Sequence, residues 1–303
     1  MAAPVTSMVE PVLGTRLALR LTAADDHKLA LAEDAVLAEC DRLEDLLSAY
    51  RPDSAWNQWR DGRVAAPAVE VAALLRLAAE WFERSDGAFN PQAGVLRARW
   101  LRAAAEGQEP LPDELTELAR GIAGLPYTVA VDGTVERHGD CTHLDLHAIA
   151  KGWVADRAAD AALAVEGVTD VVVNLGGDLR HRGDGELVVR IEDPRTPFDN
   201  ASPLATVRVH DEGVATGSGA RRPLHVGGTS HSHVLDPRTG RPVGGTTSAT
   251  VIAPDATTAD AVATVVGVLP SGEALRWIEQ VEGAAALLLD ENGRLRASAR
   301  WPA

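Results

Sequence analysis

The sequence predicts an α+β fold, organised as a single domain of mixed sheets with flanking helices over residues 1–303. Strand-like and helix-like segments are mixed along the chain without the strict alternation that a doubly wound parallel sheet requires. No internal repeat and no low-complexity linker marks a domain boundary, and a chain of this length can bury a large core. Residues 1–10 are expected to be flexible.

The first part of the chain is predicted to contain one strand followed by helices. In residues 15–23, leucines alternate with polar or small residues, as in a half-buried strand. Apolar residues at helical spacing follow, with Asp25 or Asp26 as the N-cap. Further helices are predicted within residues 69–87, 93–105 and 113–124.

The second part is predicted to be richer in strands. Residues 127–139 carry an Asp-Gly turn between strand-like runs and predict a hairpin. Further strands are predicted within residues 142–146, 168–179, 185–193, 204–210, 213–217, 232–237, 246–254 and 284–290, with a last short strand after them. Helices are predicted within residues 150–167, 257–269 and 272–280.

Composition and charge exclude several classes of function. The net charge of −15 argues against a nucleic acid or an anionic membrane as partner, because an acidic surface repels both. An anionic small ligand would need local positive charge or a metal. Cys40 and Cys141 show no zinc-type spacing and are expected to be unrelated thiols. With no signal peptide and no run of about 18 apolar residues, a cytoplasmic protein is expected, unless a leader is missing.

Two stretches carry glycines or histidines suited to a ligand. Gly176 and Gly177 end a predicted strand and allow a ligand or another backbone to approach closely, although a plain turn is the simpler interpretation. His231 and His233 are alternate residues of a predicted strand, so they would share a face. Such a pair can bind a metal or supply a general base, or it can belong to a polar strand beside a tight turn.

Two further stretches carry acids. Asp260 and Thr264 are four residues apart on a predicted helix and offer the hard oxygen ligands that Mg²⁺ prefers, unless Asp260 is an ordinary acid near a helix N-terminus. Asp145 and Lys151 flank a predicted strand-to-helix turn, where a lysine can neutralise phosphate or form a structural salt bridge. Lys151 and Lys28 are the only lysines among 29 basic residues, which favours a specific need for an ammonium.

Taken in their order along the chain, these motifs resemble those of the FAD:protein FMN transferase, or ApbE-like, family. "DLHAIAKGWVAD" resembles the family's "DLGGIAKGYAVD", and "VVNLGGDL" resembles its glycine pair. "HVLDPRTGRP" is similar to "HIIDPRTGRP", and "TVIAPDATTADAVAT" is similar to "TVIAPDAMTADALAT". Nearer the N-terminus, "LLSAYRPDS" and "GAFNPQAGVL" resemble "LFSRYRPDS" and "GAFDPTVGPL". The resemblance extends from about residue 11 to residue 290.

The resemblance implies a single α+β domain of the ApbE type and an activity. Family members cleave the FAD pyrophosphate with Mg²⁺ and join FMN through a phosphoester to a threonine or serine of a target flavoprotein, a post-translational flavinylation. The implied metal ligands are the Asp260 carboxylate, the Thr264 hydroxyl and the Ala148 carbonyl. The implied catalytic residues are Lys151, Asp260 and His233, the last as base for the target hydroxyl. The implied flavin-binding residues are Leu13, Tyr50, Ala88, Phe89, Asn90, Asp145, Lys151, Gly176, Gly177 and Val234.

The chain departs from the family pattern at four places. Three are single residues: His147 where the family has a small residue, Leu13 for a methionine, and Asn90 for an aspartate. In the fourth, residues 216–233, Arg221 and Arg222 appear and an aromatic–acid pair is missing. Since that segment normally lines the acceptor side, an FAD pyrophosphatase and a non-catalytic FAD-binding protein remain alternatives. Self-modification within residues 246–250 is a weaker one.

His147 raises a specific question, because it precedes the proposed metal carbonyl of Ala148. We expect its ring to turn away from the metal site, on a backbone conformation that a non-glycine residue tolerates.

Overall fold

The computed structural model describes residues 4–196, 201–218 and 223–302. The helices of that part are α1 Asp26–Leu47, α2 Ala55–Arg60, α3 Val69–Arg84, α4 Gly94–Glu106, α5 Pro112–Gly121, α6 His147–Leu163, α7 Ala256–Val268 and α8 Ser271–Ile278. Its strands are β1 Val5–Val12, β2 Thr15–Ala23, β3 Tyr127–Val129, β4 Val135–Arg137, β5 Val168–Leu175, β6 Asp178–Gly183, β7 Leu187–Ile191, β8 Ala205–Val209, β9 Gly213–Ser218, β10 Leu224–Val226, β11 Thr229–His231, β12 Leu235–Asp236, β13 Arg241–Pro242, β14 Thr246–Ala253, β15 Ala285–Asp290 and β16 Leu295–Ala297. Among these helices, none is both long and apolar enough to cross a membrane.

One large sheet organises the fold. Its eight strands follow the order β1-β2-β5-β6-β9-β14-β15-β16, and every neighbouring pair is antiparallel. Four two-stranded sheets, β3-β4, β7-β8, β10-β11 and β12-β13, are separate from it. The antiparallel pairing confirms the predicted α+β class and excludes a doubly wound parallel sheet.

Three helices, α1, α6 and α7, form the layer over one face of this sheet. In β2, the predicted alternation is confirmed, because Leu17, Leu19 and Leu21 are buried and the residues between them are not. Helix α7 is apolar almost all round, and it packs against α6, β9 and β14. A helix buried on every side can hold a polar group at a fixed position, and α7 carries both Asp260 and Thr264.

A smaller apolar cluster covers the opposite face of the sheet. There the β7–β8 hairpin packs on Val172, Leu179 and Val214 through Ile191 and Val207. A third cluster lies beneath α4 and α5, where Leu96 and Trp100 meet Leu224 and Leu235. The sheet is therefore covered on both faces, and the helices of the N-terminal half extend the core to one side. Cys40 and Cys141 are both buried, free thiols, as expected.

The structure corrects several predicted elements. Residues 142–146 form no strand, because the Asp140 and Asp145 side chains accept bonds from the amides of Thr142 and His147, each at 2.9 Å, and fold the segment into turns. Residues 5–10, expected to be flexible, belong to strand β1, which pairs with β2. The strand predicted within residues 232–237 shrinks to the two residues of β12.

Strands β10, β11 and β13 were not predicted, and neither was helix α2. It begins after Ser54, whose hydroxyl accepts a bond from the Asn57 amide at 3.1 Å. It buries Trp56 and Trp59 against the core. Six residues are too few to produce a helical period, so its sequence gave no usable signal.

Candidate functional site

A cleft of about 370 Å³ opens where the first turn of α6, the middle of α7 and the end of β9 meet. Most of the predicted site residues line it: Ala88, Phe89, Asn90, Asp145, Ala148, Lys151, His233, Val234, Asp260 and Thr264. They come from four separate parts of the chain, so the fold assembles a site from motifs that are distant in sequence.

A half-buried lysine with two buried carboxylates forms the floor of this cleft. The Lys151 ammonium donates a hydrogen bond to Asp178 and lies 3.6 Å from Oδ1 of Asp260. Asp178 and Asp260 are 4% and 5% exposed, respectively. Lys151 therefore pairs with these two acids and not with Asp145, which rules out the simple Asp145–Lys151 salt bridge.

The pKa values of this group follow from burial and charge. Burial raises the pKa of Asp260, the nearby charge of Asp178 raises it further, and Lys151 offsets only part of the effect. Burial opposes the charge of Lys151, but Asp260 and Asp178 together hold its pKa above the ordinary value for lysine. When Asp260 is ionised, two carboxylates against one ammonium leave surplus negative charge, which favours binding of a further cation.

The contact between α6 and α7 fixes Asp260. The Gly152 amide donates a bond of 3.2 Å to Oδ2 of Asp260. A Cβ atom at Gly152 would lie 2.2 Å from the Ala256 carbonyl oxygen, so only glycine allows the two helices to approach this closely. One turn further along α7, the Thr264 hydroxyl donates to the Asp260 carbonyl at 3.3 Å, which keeps it on the same helical face.

An acid of α6, Asp156, holds the start of α7. The Asp156 carboxylate accepts bonds from the amides of Ala256 and Thr257, each at 2.9 Å. Asp255 caps the same end by accepting from the Thr258 amide at 2.6 Å. Burial raises the pKa of Asp156, although these bonds to its charged form act in the opposite direction. The helix that carries Asp260 and Thr264 is thus tied to α6 at its N-terminus.

His147 is the first residue of α6, and its ring turns towards Asp145. Its Nδ1 lies 3.2 Å from Oδ1 of Asp145, and its side chain is 60% exposed. The hydrogen bond to Asp145 raises the pKa of His147. The backbone φ of His147 is not positive, unlike that of Leu13, Asp86 and Asp211. The expectation of an ordinary backbone conformation is confirmed.

The two histidines of the segment 231–242 do not act as a pair. His231 ends strand β11, where its Nε2 lies 3.1 Å from Glu109 and its ring packs against Trp100. His233 follows in a loop and lines the cleft. The idea of two histidines on one strand face is therefore wrong, and only His233 remains a candidate base.

Four predicted flavin-binding residues lie outside this cleft. Gly176 and Gly177 form the β5–β6 turn and line a neighbouring groove. Leu13 lies in the β1–β2 turn, and its amide donates to Glu44 at 3.3 Å. Tyr50 is 80% exposed and lies near the same turn, where its Cε2 atom is 3.8 Å from a Cβ built on Gly14. Leu13 and Tyr50 thus lie together at one end of the molecule, and Arg221 and Arg222 fall outside the described residues.

Asp178 is the functional residue that the sequence did not single out. It follows Gly177 directly and begins β6, so its side chain projects from the glycine turn towards Lys151. An acid placed immediately after a glycine pair at a strand end was the available signal. Arg97 and Thr216 also line the cleft and were not predicted.

The donor set suits a magnesium ion. Asp260 offers a carboxylate, Thr264 a hydroxyl and Ala148 a carbonyl, all of them hard oxygen ligands. The excess negative charge of Asp178 and Asp260 over Lys151 supports the same conclusion. No group of three histidine, cysteine or acidic side chains able to hold a metal occurs in the described residues.

A larger cavity, of about 610 Å³, lies on the other side of α6 and α7. Arg180, Arg182, Asp156 and Asp160 line it, but Arg180 contacts Asp156 at 3.4 Å and Arg182 bonds to Asp160. Because these charges neutralise one another, the smaller cleft around Lys151 is the better candidate for chemistry despite its size.

The sequence profile of the ApbE family matches residues 13–288, so the chain belongs to the ApbE family. A protein of Treponema pallidum named FAD:protein FMN transferase is 32% identical, covering 97% of this chain and 86% of its own length. The Escherichia coli K12 protein of the same name is 28% identical over 96% of this chain and 86% of its own. The crystal structure of the ApbE protein of Thermotoga maritima has a TM-score of 0.82 and 26% identity, covering 98% of this chain and 97% of that one.

Proposed function

We propose that this protein is a Mg²⁺-dependent FAD:protein FMN transferase that joins FMN by a phosphoester to a threonine or serine of a target flavoprotein. The observation that carries the proposal is the group formed by half-buried Lys151 with buried Asp178 and Asp260, beside Thr264. It combines an ammonium for phosphate with surplus negative charge for a cation. The name shared by the Treponema and Escherichia relatives supports the same activity.

In this proposal, Asp260, Thr264 and the Ala148 carbonyl would hold the metal. When bound, the ion would supply Lewis acidity and offset charge on the pyrophosphate. Lys151 adds a compact ammonium whose three donors exceed the needs of Asp178, so one can reach a phosphate oxygen. Asp178 keeps this ammonium in place, and burial strengthens each of these interactions.

Apolar and polar groups near the cleft would hold FAD. Phe89 and Val234 offer apolar surface, and Asn90 is fixed because its side-chain amide donates to the Ile122 carbonyl at 2.9 Å. Ala88 and Asp145 complete that side of the cleft. Outside it, Leu13, Tyr50, Gly176 and Gly177 are proposed to contact the parts of FAD that extend beyond the cleft.

The transfer step needs a nucleophile, a base and a leaving group. The acceptor hydroxyl oxygen attacks the phosphorus of the FMN half and forms the new P–O bond. The bond from that phosphorus to the bridging oxygen breaks, and AMP leaves with the electron pair. His233 is proposed to take the hydroxyl proton, because a neutral threonine is a poor nucleophile. Water in place of the hydroxyl would give FMN and AMP, the pyrophosphatase alternative.

Self-modification within residues 246–250 is disfavoured by where those residues lie. They belong to β14, a strand with neighbours on both sides, and Ser248 and Thr250 are 3% and 1% exposed. Thr250 also shares a hydrogen bond of 3.0 Å with Thr216. Ser248 lines a groove beside the cleft but is held by pairing on both sides of β14, so its hydroxyl would reach a phosphorus only if the strand opened.

The test compares two valine substitutions on one helix. Thr264→Val removes the proposed ligand without changing side-chain volume, whereas Thr258→Val changes a threonine near the helix start, whose hydroxyl donates to Asp255 at 3.0 Å. With FAD, Mg²⁺ and an acceptor flavoprotein, we expect wild type and Thr258→Val to add one FMN to the acceptor and release AMP. Thr264→Val is expected to need about tenfold or more Mg²⁺ for the same rate.

Mass spectrometry and chromatography would separate the alternatives. An FMN adduct on a threonine or serine supports the transferase. Free FMN and AMP without an adduct would favour the pyrophosphatase. Intact FAD after long incubation would contradict both and leave a binding protein.

A further inference from the structure

Strand β9 extends beyond the strand that pairs with it on one side. On the β14 side, its pairing runs from Gly213 to Ser218. On the β6 side, only Gly213 and Val214 have partners, Arg180 and Leu179. From Thr216 to Ser218, no described residue forms a ladder with that edge. Because alternate residues of a strand direct N–H and C=O groups to opposite sides, this edge presents main-chain groups for a further strand.

Glycines surround the open edge. The β5–β6 hairpin stops short because Gly176 and Gly177 turn the chain, with φ of +63° and +111°. A Cβ built on Gly177 would meet nothing within 4 Å, so there is open space beside the turn. Gly217, on β9 itself, also lacks a side chain. Adjacent glycines on both sides of a gap allow another backbone to come close.

The open edge forms one wall of a groove of about 500 Å³ that joins the catalytic cleft. Thr216, Gly217 and His233 line both. Leu179 and Val214 supply apolar surface in the groove, and Val189 and Arg190 of β7 line its other wall. Apart from His233, the described lining residues include no aromatic side chain, so the groove offers little aromatic surface on which an adenine would stack.

We propose that the threonine- or serine-bearing segment of the acceptor flavoprotein binds in this groove as an extended strand along the free edge of β9, which places its hydroxyl next to His233. Main-chain hydrogen bonds to the edge would give affinity, and the pockets for alternate side chains would give specificity. This inference rests on the proposed transferase function, because the groove matters as an acceptor site only if FMN is transferred at the cleft.

Two substitutions on neighbouring residues of β7 test occupancy of the groove. Val189→Trp fills the groove from its β7 wall, whereas Val188→Trp is a matched control, since Val188 is 51% exposed and does not line the groove. The acceptor is a pool of short synthetic peptides, each with one central threonine. We expect Val189→Trp to lower the rate of FMN addition by about tenfold or more, with Val188→Trp close to wild type.

The FAD dissociation constant with Mg²⁺, measured by calorimetry for the same variants, shows which molecule the groove holds. An unchanged FAD affinity in Val189→Trp supports an acceptor groove. FAD is proposed to reach this groove only at its glycine turn, so an FAD affinity that falls in parallel with transfer would extend the FAD site to the β7 wall and overturn the proposal. If wild type binds no FAD at all, the proposed function itself fails, which is a separate result.

Methylation of single backbone amides in a reactive peptide tests the strand. If the peptide pairs with β9, methyl groups on alternate residues should each lower kcat/KM by about threefold to tenfold through a lost hydrogen bond, and those between should have little effect. Equal sensitivity at every position would overturn strand pairing. A wild-type enzyme that binds FAD but modifies no peptide in the pool would also overturn it, because recognition would then need more than an extended segment.

Discussion

The Lys151 ammonium lies between two buried carboxylates, and this position explains why a lysine survives in a chain whose other basic residues are almost all arginines. A guanidinium is wide and planar, and it would not fit between Asp178 and Asp260 and still present a donor to the cleft. The same contacts explain what the sequence could not reveal. Asp178 is adjacent to Lys151 only because the β5–β6 turn lies over the start of α6, and no spacing along the chain encodes that contact.

His147 provides a prediction at this scale. His147 lines the cleft, but its ring pairs with Asp145 and its side chain is 60% exposed, so we expect it to leave the proposed metal ligands accessible. We expect His147→Gly and His147→Ala to change FAD turnover by no more than about twofold, as for a surface substitution. Steady-state kinetics with FAD and Mg²⁺ check this. A large rise in turnover in both variants would mean that the histidine blocks the site.

Helices α6 and α7 form the element on which the site depends. Gly152 allows the two helices to approach closely, and Asp156 of α6 accepts hydrogen bonds from the first turn of α7. Asp260 and Thr264 project from the same face of α7. The i, i+4 spacing of Asp260 and Thr264 was visible in the sequence, and so was the helix itself. The short distance between the two helices could not be predicted from the sequence. It depends on Gly152 inside α6, and a glycine inside a helix is usually taken as destabilising that helix.

Two alanine substitutions test this contact. Gly152→Ala introduces a Cβ 2.2 Å from the Ala256 carbonyl oxygen, so α7 must shift and Asp260 with it. We expect a loss of about 1–3 kcal/mol in the free energy of unfolding, together with a fall in FAD turnover. Gly267→Ala, on α7, is the control, since a Cβ at Gly267 would meet nothing within 4 Å apart from the backbone of its own helix. It should stabilise the protein by about 0.5–1 kcal/mol and leave turnover unchanged.

Denaturant unfolding and steady-state kinetics measure both variants. A stable and fully active Gly152→Ala would show that the helices have room to separate without cost to the site.

The predicted elements show where sequence patterns suffice. Long periodic segments such as α1, α3 and β2 were predicted close to their observed bounds. Two errors fall on short segments, residues 142–146 and α2, whose conformation is set by side-chain bonds to the backbone. A third falls on residues 5–10, which are ordered by pairing with β2. In residues 142–146, the alternation of two leucines is too short to form a strand, because an aspartate that accepts a hydrogen bond from the amide two positions later favours a turn.

Across the whole molecule, Arg180 connects the site helices to the sheet. It extends from β6, contacts Asp156 of α6 at 3.4 Å, and donates to the carbonyls of Asp211 and Pro254 at 2.9 and 2.8 Å. Its side chain is 7% exposed. One guanidinium thus joins β6, α6 and the loops before β9 and α7, which explains how the cleft keeps its shape although its residues come from distant parts of the chain.

Removing this guanidinium is expected to be costly. Arg180→Ala leaves Asp156 buried without its cation and two carbonyls without donors, so we expect a loss of about 3–5 kcal/mol in the free energy of unfolding. Thermal and denaturant unfolding would measure it. Arg208→Ala is a suitable control, because Arg208 is 70% exposed and pairs with the exposed Glu186, so its loss should cost little. Equal effects of the two substitutions would contradict a connecting role for Arg180.

The most direct measurement of the central claim is a crystal structure of the protein soaked with FAD and Mn²⁺, with the anomalous signal used to locate the metal. We expect one metal peak bonded to the Asp260 carboxylate, the Thr264 hydroxyl and the Ala148 carbonyl, with the FAD pyrophosphate on the same metal and near Lys151. A metal and pyrophosphate in the larger cavity around Arg180, or FAD bound with no metal at Asp260, would contradict the account.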